Sequence, residues 1–252
     1  MVRPLLVLGL AAALLSWPLH ATDMAITFNV VRTEAEEGGA SHTEIRYYSE
    51  DYQLTRGVES LVDQLVDLHS GTSYTIDHKK GVISKLAFED LMAMMEALNR
   101  SLSQGMSGPM ADLLGDPRDS RVESLGTAQV AGRNCQVWRI TVGRVTMVLS
   151  ADPSLRTPGP ETGYSMLMQA RAAQMAKAGP MGAFYQRLSE EMEKVQGIPL
   201  ETHLTGPMNV NTATEATRID FGPIPAATFA LPRGYRVEDL GEKIRKALAG
   251  SR

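Results

Sequence analysis

Met24-Ala25-Ile26-Thr27-Phe28-Asn29-Val30 sets Ile26, Phe28 and Val30 in alternation with Thr27 and Asn29, and Glu44-Ile45-Arg46-Tyr47-Tyr48 repeats the pattern. Successive side chains of a strand point to opposite faces, so alternation of this kind marks strands with one face inward and one in water. The stretch from Glu36 to Ala40, the trio Ser49-Glu50-Asp51 and the trio His69-Ser70-Gly71 supply turns between them. Residues 24–86 therefore read as close-set antiparallel hairpins. Within them Val58, Leu61, Val62, Leu65 and Val66 also fit a helical stripe. The second half of that segment is assigned to a strand, because it leads through Gly71 into Tyr74 and Ile76, which again alternate with polar neighbours.

Outward from this block the period changes. Phe88, Leu91, Met92, Met95, Leu98 and Leu102 recur at steps of three and four, the mark of an amphipathic helix. A Gly-, Ser- and Pro-rich loop from Ser103 to Asp119 encloses the apolar piece Met110 to Leu114. Strands return at 122–130, 134–142 and 144–150, rich in Val, Thr and Ile and divided by Gly132 and Gly143. A second helical block spans about Gly163 to Gln196, interrupted at Gly179-Pro180. Its second half places Met181, Phe184, Leu188, Met192 and Val195 on one face, opposite Glu190, Glu191 and Glu193. It stops at Gly197, with Pro199 just beyond. Strands at 200–204 and 210–221, a Pro-rich connector from Gly222 to Tyr235, and a last helix carrying Leu240, Ile244 and Leu248 complete the chain. Consecutive strand runs with helices inserted between them predict an α+β fold. The expected architecture is a strongly curved antiparallel sheet, a half-open barrel, with helices covering its concave face.

The whole chain is 252 residues long, 43% hydrophobic and 21% charged, with a net charge of -4. This is the composition of a folded chain, and it lacks the basic excess of nucleic-acid binders. Arg3, the apolar run Leu5 to Leu15 and a small residue at Ala21 read as a secretory signal peptide cleaved after residue 21, leaving 22–252 as a single domain. The only cysteine, Cys135, lies far from that cleavage point, so no lipid anchor is expected. The product is expected to be soluble in the periplasm or secreted, without stable membrane insertion.

Catalytic signatures are missing from the sequence. The nearest approaches to a nucleophile elbow, around Ser107 and Ser165, lack the Gly-x-Ser-x-Gly spacing. No phosphate-binding glycine loop occurs, and His42, His69, His78 and His203 form no metal-ligand pair. His69 and His78 read as solvated turn residues, and the acidic groups Glu34, Glu36, Glu37 and Glu190, Glu191, Glu193 as solvated surfaces. Cys135 reads as a buried structural thiol, with an inter-chain disulfide as the alternative. The chain has 14 methionines, concentrated in the helical inserts. Methionine is flexible and polarizable, so these residues suit either ordinary packing or an adaptable ligand surface.

Three stretches taken together resemble a known family. Val66 to Leu86 contains Asp67, Gly71, Tyr74, Asp77, Lys79 and Lys80; Ala131 to Val142 contains Gly132, Cys135 and Trp138; Gly197-Ile198-Pro199-Leu200 stands with Pro225, Phe229, Pro232, Gly234 and Tyr235 of the connector. These resemble the hairpin, cysteine strand and closing segment of the exported bacterial family called domain of unknown function 4412. That family is similar in layout to the lipoprotein-carrier (LolA/LolB-like) superfamily, so the resemblance implies a half-open barrel with an apolar cavity for acyl chains. The expectation for function is a non-enzymatic periplasmic module that binds a lipid or lipoprotein acyl chain between sheet and Met-rich helices. Met92, Met95, Leu98, Leu167, Met168 and Phe184 are the expected ligand contacts. No cofactor, metal or catalytic residue is expected. The alternative is an envelope protein-interaction or stress-sensing module without a ligand.

Overall fold

The computed structural model describes residues 23–32, 40–91, 93–94, 113–158, 179–207 and 211–249. Twelve strands are seen among them: β1 (Met24–Arg32), β2 (Ala40–Tyr48), β3 (Tyr52–Gly57), β4 (Val62–Asp67), β5 (Thr72–Asp77), β6 (Val82–Ala87), β7 (Ser120–Val130), β8 (Arg133–Val142), β9 (Val145–Asp152), β10 (Ile198–Thr205), β11 (Asn211–Phe221) and β12 (Arg236–Asp239). They form one sheet in the order β12-β6-β5-β4-β3-β2-β1-β11-β10-β9-β8-β7, which does not close. Helix α1 spans Gly179–Met192 and helix α2 Leu240–Ala249. Residues 88–91 and 93–94 are helical, at the start of the helix expected from Phe88.

The first strand is the centre of this sheet. β1 pairs with β2 on one side, Met24 opposite Tyr48, and with β11 on the other, Met24 opposite Phe221. Met24, Ile26, Phe28 and Val30 are buried in a cluster with Val130, Cys135, Leu155, Ile198 and Leu200. The alternation read in the sequence is therefore real, and it selects one face of β1.

Beyond β2 the buried face switches. Tyr47 lies opposite Ala25, not Ile26, so the row Tyr47, Leu54, Leu65, Tyr74 is on the reverse side from the buried residues of β1. That row joins Ile76, Ile83 and Phe229 in a second cluster, covered by the Pro-rich connector through Ile224, Phe229 and Tyr235. Phe229 stacks on Tyr52 at 5.3 Å between ring centroids. The hairpin and the closing segment that carry the family resemblance are thus one packing unit. His78, expected as a solvated turn residue, belongs to it: its Nδ1 lies 3.1 Å from the Tyr235 hydroxyl and its Nε2 3.1 Å from buried Asp63, which also accepts from Arg56 Nε at 3.0 Å. His69 remains exposed at its turn.

Curvature is concentrated in the other half. Ladders β2 to β6 are regular, whereas β11 at Thr217, β10 at Leu200 and β7 at Leu125 each carry one residue that has no partner opposite it. Such bulges bend a strand and increase its twist. The bend is strong enough that β7 contacts β11 across three intervening strands. Val130 and Arg133 are joined by Ala131 and Gly132, both with positive φ, the two-residue turn that matches strand twist.

Two further features depart from the reading of the sequence. The connector does not run straight into the last helix, because Arg236–Asp239 forms β12 and pairs with β6 in parallel, so the sheet is mostly rather than wholly antiparallel. Asp239 Oδ1 then accepts from the Glu242 backbone N–H at 2.8 Å, capping α2. Glu191 is the second departure. α1 packs Phe184, Leu188 and Met192 against Ile140, Val142 and Leu149, as the stripe predicts. Glu191 lies off that stripe but is fully buried, because its carboxylate ties the helix to the first residue of β7. It accepts from Ser120 Oγ at 3.1 Å and pairs with Arg187 at 2.8 Å and with Lys194. The group Glu34, Glu36 and Glu37 and the leader lie outside the described residues.

Burial alone would raise the Glu191 pKa, but its bonds with Lys194, Ser120 and Arg187 outweigh burial and hold it below its usual 4.5. A lowered folded pKa stabilises the fold above the unfolded value and loses that contribution as pH falls through the folded one. Urea unfolding should therefore show stability falling below about pH 4.5. Glu191→Gln should flatten that decline and cost roughly 1.5–3 kcal/mol at pH 7. An unchanged acid limb in the variant would remove Glu191 from this role.

Candidate cleft on the curved sheet

The switch in buried face leaves one side of β2, β3 and β4 without the cover that the second cluster gives the other. On β2, His42 lies opposite Val30, Glu44 opposite Phe28 and Arg46 opposite Ile26, so these three polar residues share the face of the buried β1 row. The ladders continue that face through Gln53 and Thr55 on β3 and Gln64 on β4. The curled half of the sheet supplies the facing wall, with Leu155-Arg156-Thr157 and Gly197-Ile198-Pro199. Between them lies a cleft of about 1000 Å³.

Gly197 makes the close approach of that wall feasible. Its φ is +91°, and a Cβ there would fall 1.9 Å from the Asp152 carbonyl oxygen. Asp152 is itself buried and fixes the neighbouring turn. It accepts from Arg133 Nε at 2.6 Å and from the Ser154 backbone at 2.8 Å. Burial disfavours its charged form, yet the Ser154 and Arg133 bonds hold its carboxyl below its ordinary value.

Arg46 is the best-defined charged side chain in the cleft. Its guanidinium carbon lies 4.3 Å above the centroid of the buried Phe28 ring, a cation–π arrangement. Its Nε donates to Glu44 Oε1 at 2.7 Å, and its Nη2 contacts the same oxygen. His42 Nε2 is 4.0 Å from the other Glu44 oxygen. Arg32 and Arg156 add two further guanidinium groups to the lining, against which Glu44 is the one carboxylate among the described residues. Arg156 is anchored through Nη1, which donates to the Pro153 and Leu155 carbonyls at 2.6 and 2.9 Å. Apolar surface comes from Leu155, Ile198, Val62 and Tyr48 of β2.

The expected ligand contacts Met92, Met95, Leu98, Leu167 and Met168 lie outside the described residues. Phe184 is buried in the cluster beneath α1 and does not line this cleft. The sequence reading passed over the cleft residues because alternation assigns Glu44 and Arg46 to a water-facing side. Among the described residues no three His, Cys, Asp or Glu side chains gather as a metal site, and no helix is long and apolar enough to cross a membrane.

No family model and no curated protein matches the chain. Solved structures similar to it include PNGF-II (12% identity, TM-score 0.44), covering 92% of this chain and 34% of that one. MucB is also similar (13% identity, TM-score 0.42, 86% of this chain and 60% of that one), as is a LolA superfamily protein from Nitrosomonas europaea (9% identity, TM-score 0.34, 85% and 92%). The chain thus spans about a third of PNGF-II and under two thirds of MucB.

Cys135 is buried in the first cluster, where burial, reinforced by the Asp152 carboxylate, pushes its thiol pKa up. A thiol that is both enclosed and protonated is a poor nucleophile. An aromatic disulfide reagent should leave it unmodified at pH 8 in the native protein and titrate one thiol in guanidinium chloride. Rapid native labelling, or a disulfide-linked dimer after mild oxidation, would contradict this placement.

Proposed function

We propose that this chain is a non-enzymatic binding module of the bacterial cell envelope, holding a ligand with a substantial apolar part, such as a lipid or lipoprotein acyl chain, in the cleft of its curved sheet. The observation that carries the reading is the cleft itself. It is about 1000 Å³, at the upper end of typical ligand-pocket volumes, and both halves of the sheet contribute to it. The half-open form fits the carrier-like architecture expected from the sequence, and the leader read at residues 1–21 fits export to the periplasm. The methionine-bearing segments would add adaptable apolar cover in this reading. Burial of ligand surface supplies the affinity, at about 25 cal/mol per Å² of apolar area.

A second reading, a protein-interaction module, draws on the β3–β4 turn, where Val58 and Leu61 are 58% and 55% exposed. Native mass spectrometry of the full chain, purified from a bacterial envelope fraction, separates the two. The ligand reading predicts a bound lipid-sized mass that is lost on denaturation. An empty chain that also takes up nothing from phosphatidylglycerol vesicles contradicts it, and a bound polypeptide with an empty cleft favours the second reading.

A further inference from the structure

Taking the proposed ligand-binding role as its basis, we propose that the cleft selects amphiphiles with an anionic head, an oxyanion such as a carboxylate or phosphate on an apolar chain, and that Arg46 is the residue that receives the head. Three observations converge on this. Among the described residues the cleft lining holds Arg32, Arg46 and Arg156 against the single carboxylate Glu44, an excess of positive charge on a chain whose net charge is -4. A concave site lined by one sign of charge concentrates ligands of the opposite sign.

Arg46 is also preorganised. The Phe28 ring lies beneath its guanidinium carbon, and Glu44 occupies only the Nε and Nη2 edge. Among the described residues Nη1 has no partner. A guanidinium seated on a ring and bonded along one edge keeps its remaining donors for an incoming oxyanion, the geometry that makes arginine effective with carboxylate and phosphate groups. Glu44 plays a positioning role, since its carboxylate holds Arg46 in place without neutralising Arg32 or Arg156.

The third observation is the mixture of surfaces. Phe28, Leu155 and Ile198 belong to one apolar cluster, and Arg46 and Arg156 rise directly from it, Arg46 over the Phe28 ring and Arg156 next in the chain to Leu155. The apolar cluster and the charged donors therefore meet at the same wall. An acyl chain alone would desolvate the guanidinium donors that Glu44 and the Pro153 and Leu155 carbonyls do not satisfy, which is unfavourable. A free anion alone would leave the apolar wall unused.

Titration of the full chain with oleate, oleyl alcohol and inorganic phosphate, followed by calorimetry, tests this. Oleate is expected to bind at least about ten-fold more tightly than oleyl alcohol, with a preference that shrinks as salt is raised. Arg46→Gln should remove most of that preference, and Arg46→Lys should retain part of it. Should Arg46→Gln fail to fold, Arg156→Gln, at an exposed turn, should weaken oleate by a few fold while leaving the alcohol unchanged. Equal binding of oleate and oleyl alcohol, insensitive to salt, overturns the anionic preference while sparing the ligand-binding role. Phosphate competing as well as oleate overturns the amphiphile and points to a free anion. Failure of both lipids to bind overturns the underlying role itself.

Discussion

The pairing of β1 between β2 and β11 is the constraint on which the rest of the structure depends. Met24 faces Tyr48 in one ladder and Phe221 in the other, so the first strand joins parts of the chain almost two hundred residues apart. Both ladders are antiparallel and run the length of β1, with the bulge at Thr217 as the irregularity on one side. Without this strand, β2 to β6 would be one small sheet and β7 to β11 another. Loop-closure entropy opposes such a long-range pairing, and the burial of Met24, Ile26, Phe28 and Val30 on a single face is what offsets it.

From that pairing the cleft follows. The strands on one side of β1 bury their reverse face under the Pro-rich connector, and those on the other side curl over the obverse face through three bulges. A sheet that changes its buried face at β2 must present a polar row there, which His42, Glu44 and Arg46 provide. The row is enclosed because the opposite wall bends towards it, not because a helix among the described residues closes it. Gly197 and the Asp152 turn set how near that wall comes.

Much of this architecture could be read from residue order. Period two at Ile26-Phe28-Val30 and Ile45-Tyr47, the turns at Gly71 and Gly132, and the stripe Phe184-Leu188-Met192 all correspond to observed elements, since each depends on local alternation. β12 escaped because its four residues, Arg236 to Asp239, carry no alternating apolar signal and are held by pairing with distant β6. Glu191 escaped for a related reason: its partners include Ser120, seventy-one residues away, and no local pattern announces a buried carboxylate. The cleft was hidden because the alternation in β2 separates two faces without saying that both meet protein.

The central claim is that β1 welds the two halves of the sheet into one cooperative unit around the cleft. Residue-resolved native-state hydrogen exchange measures this directly. The account predicts that amides of β1, β2 and β11 exchange only through global opening, with one common free energy and the same denaturant dependence. Exchange of β2 to β6 and of β8 to β11 through separate openings of different free energy, with β1 following only one of them, would contradict it.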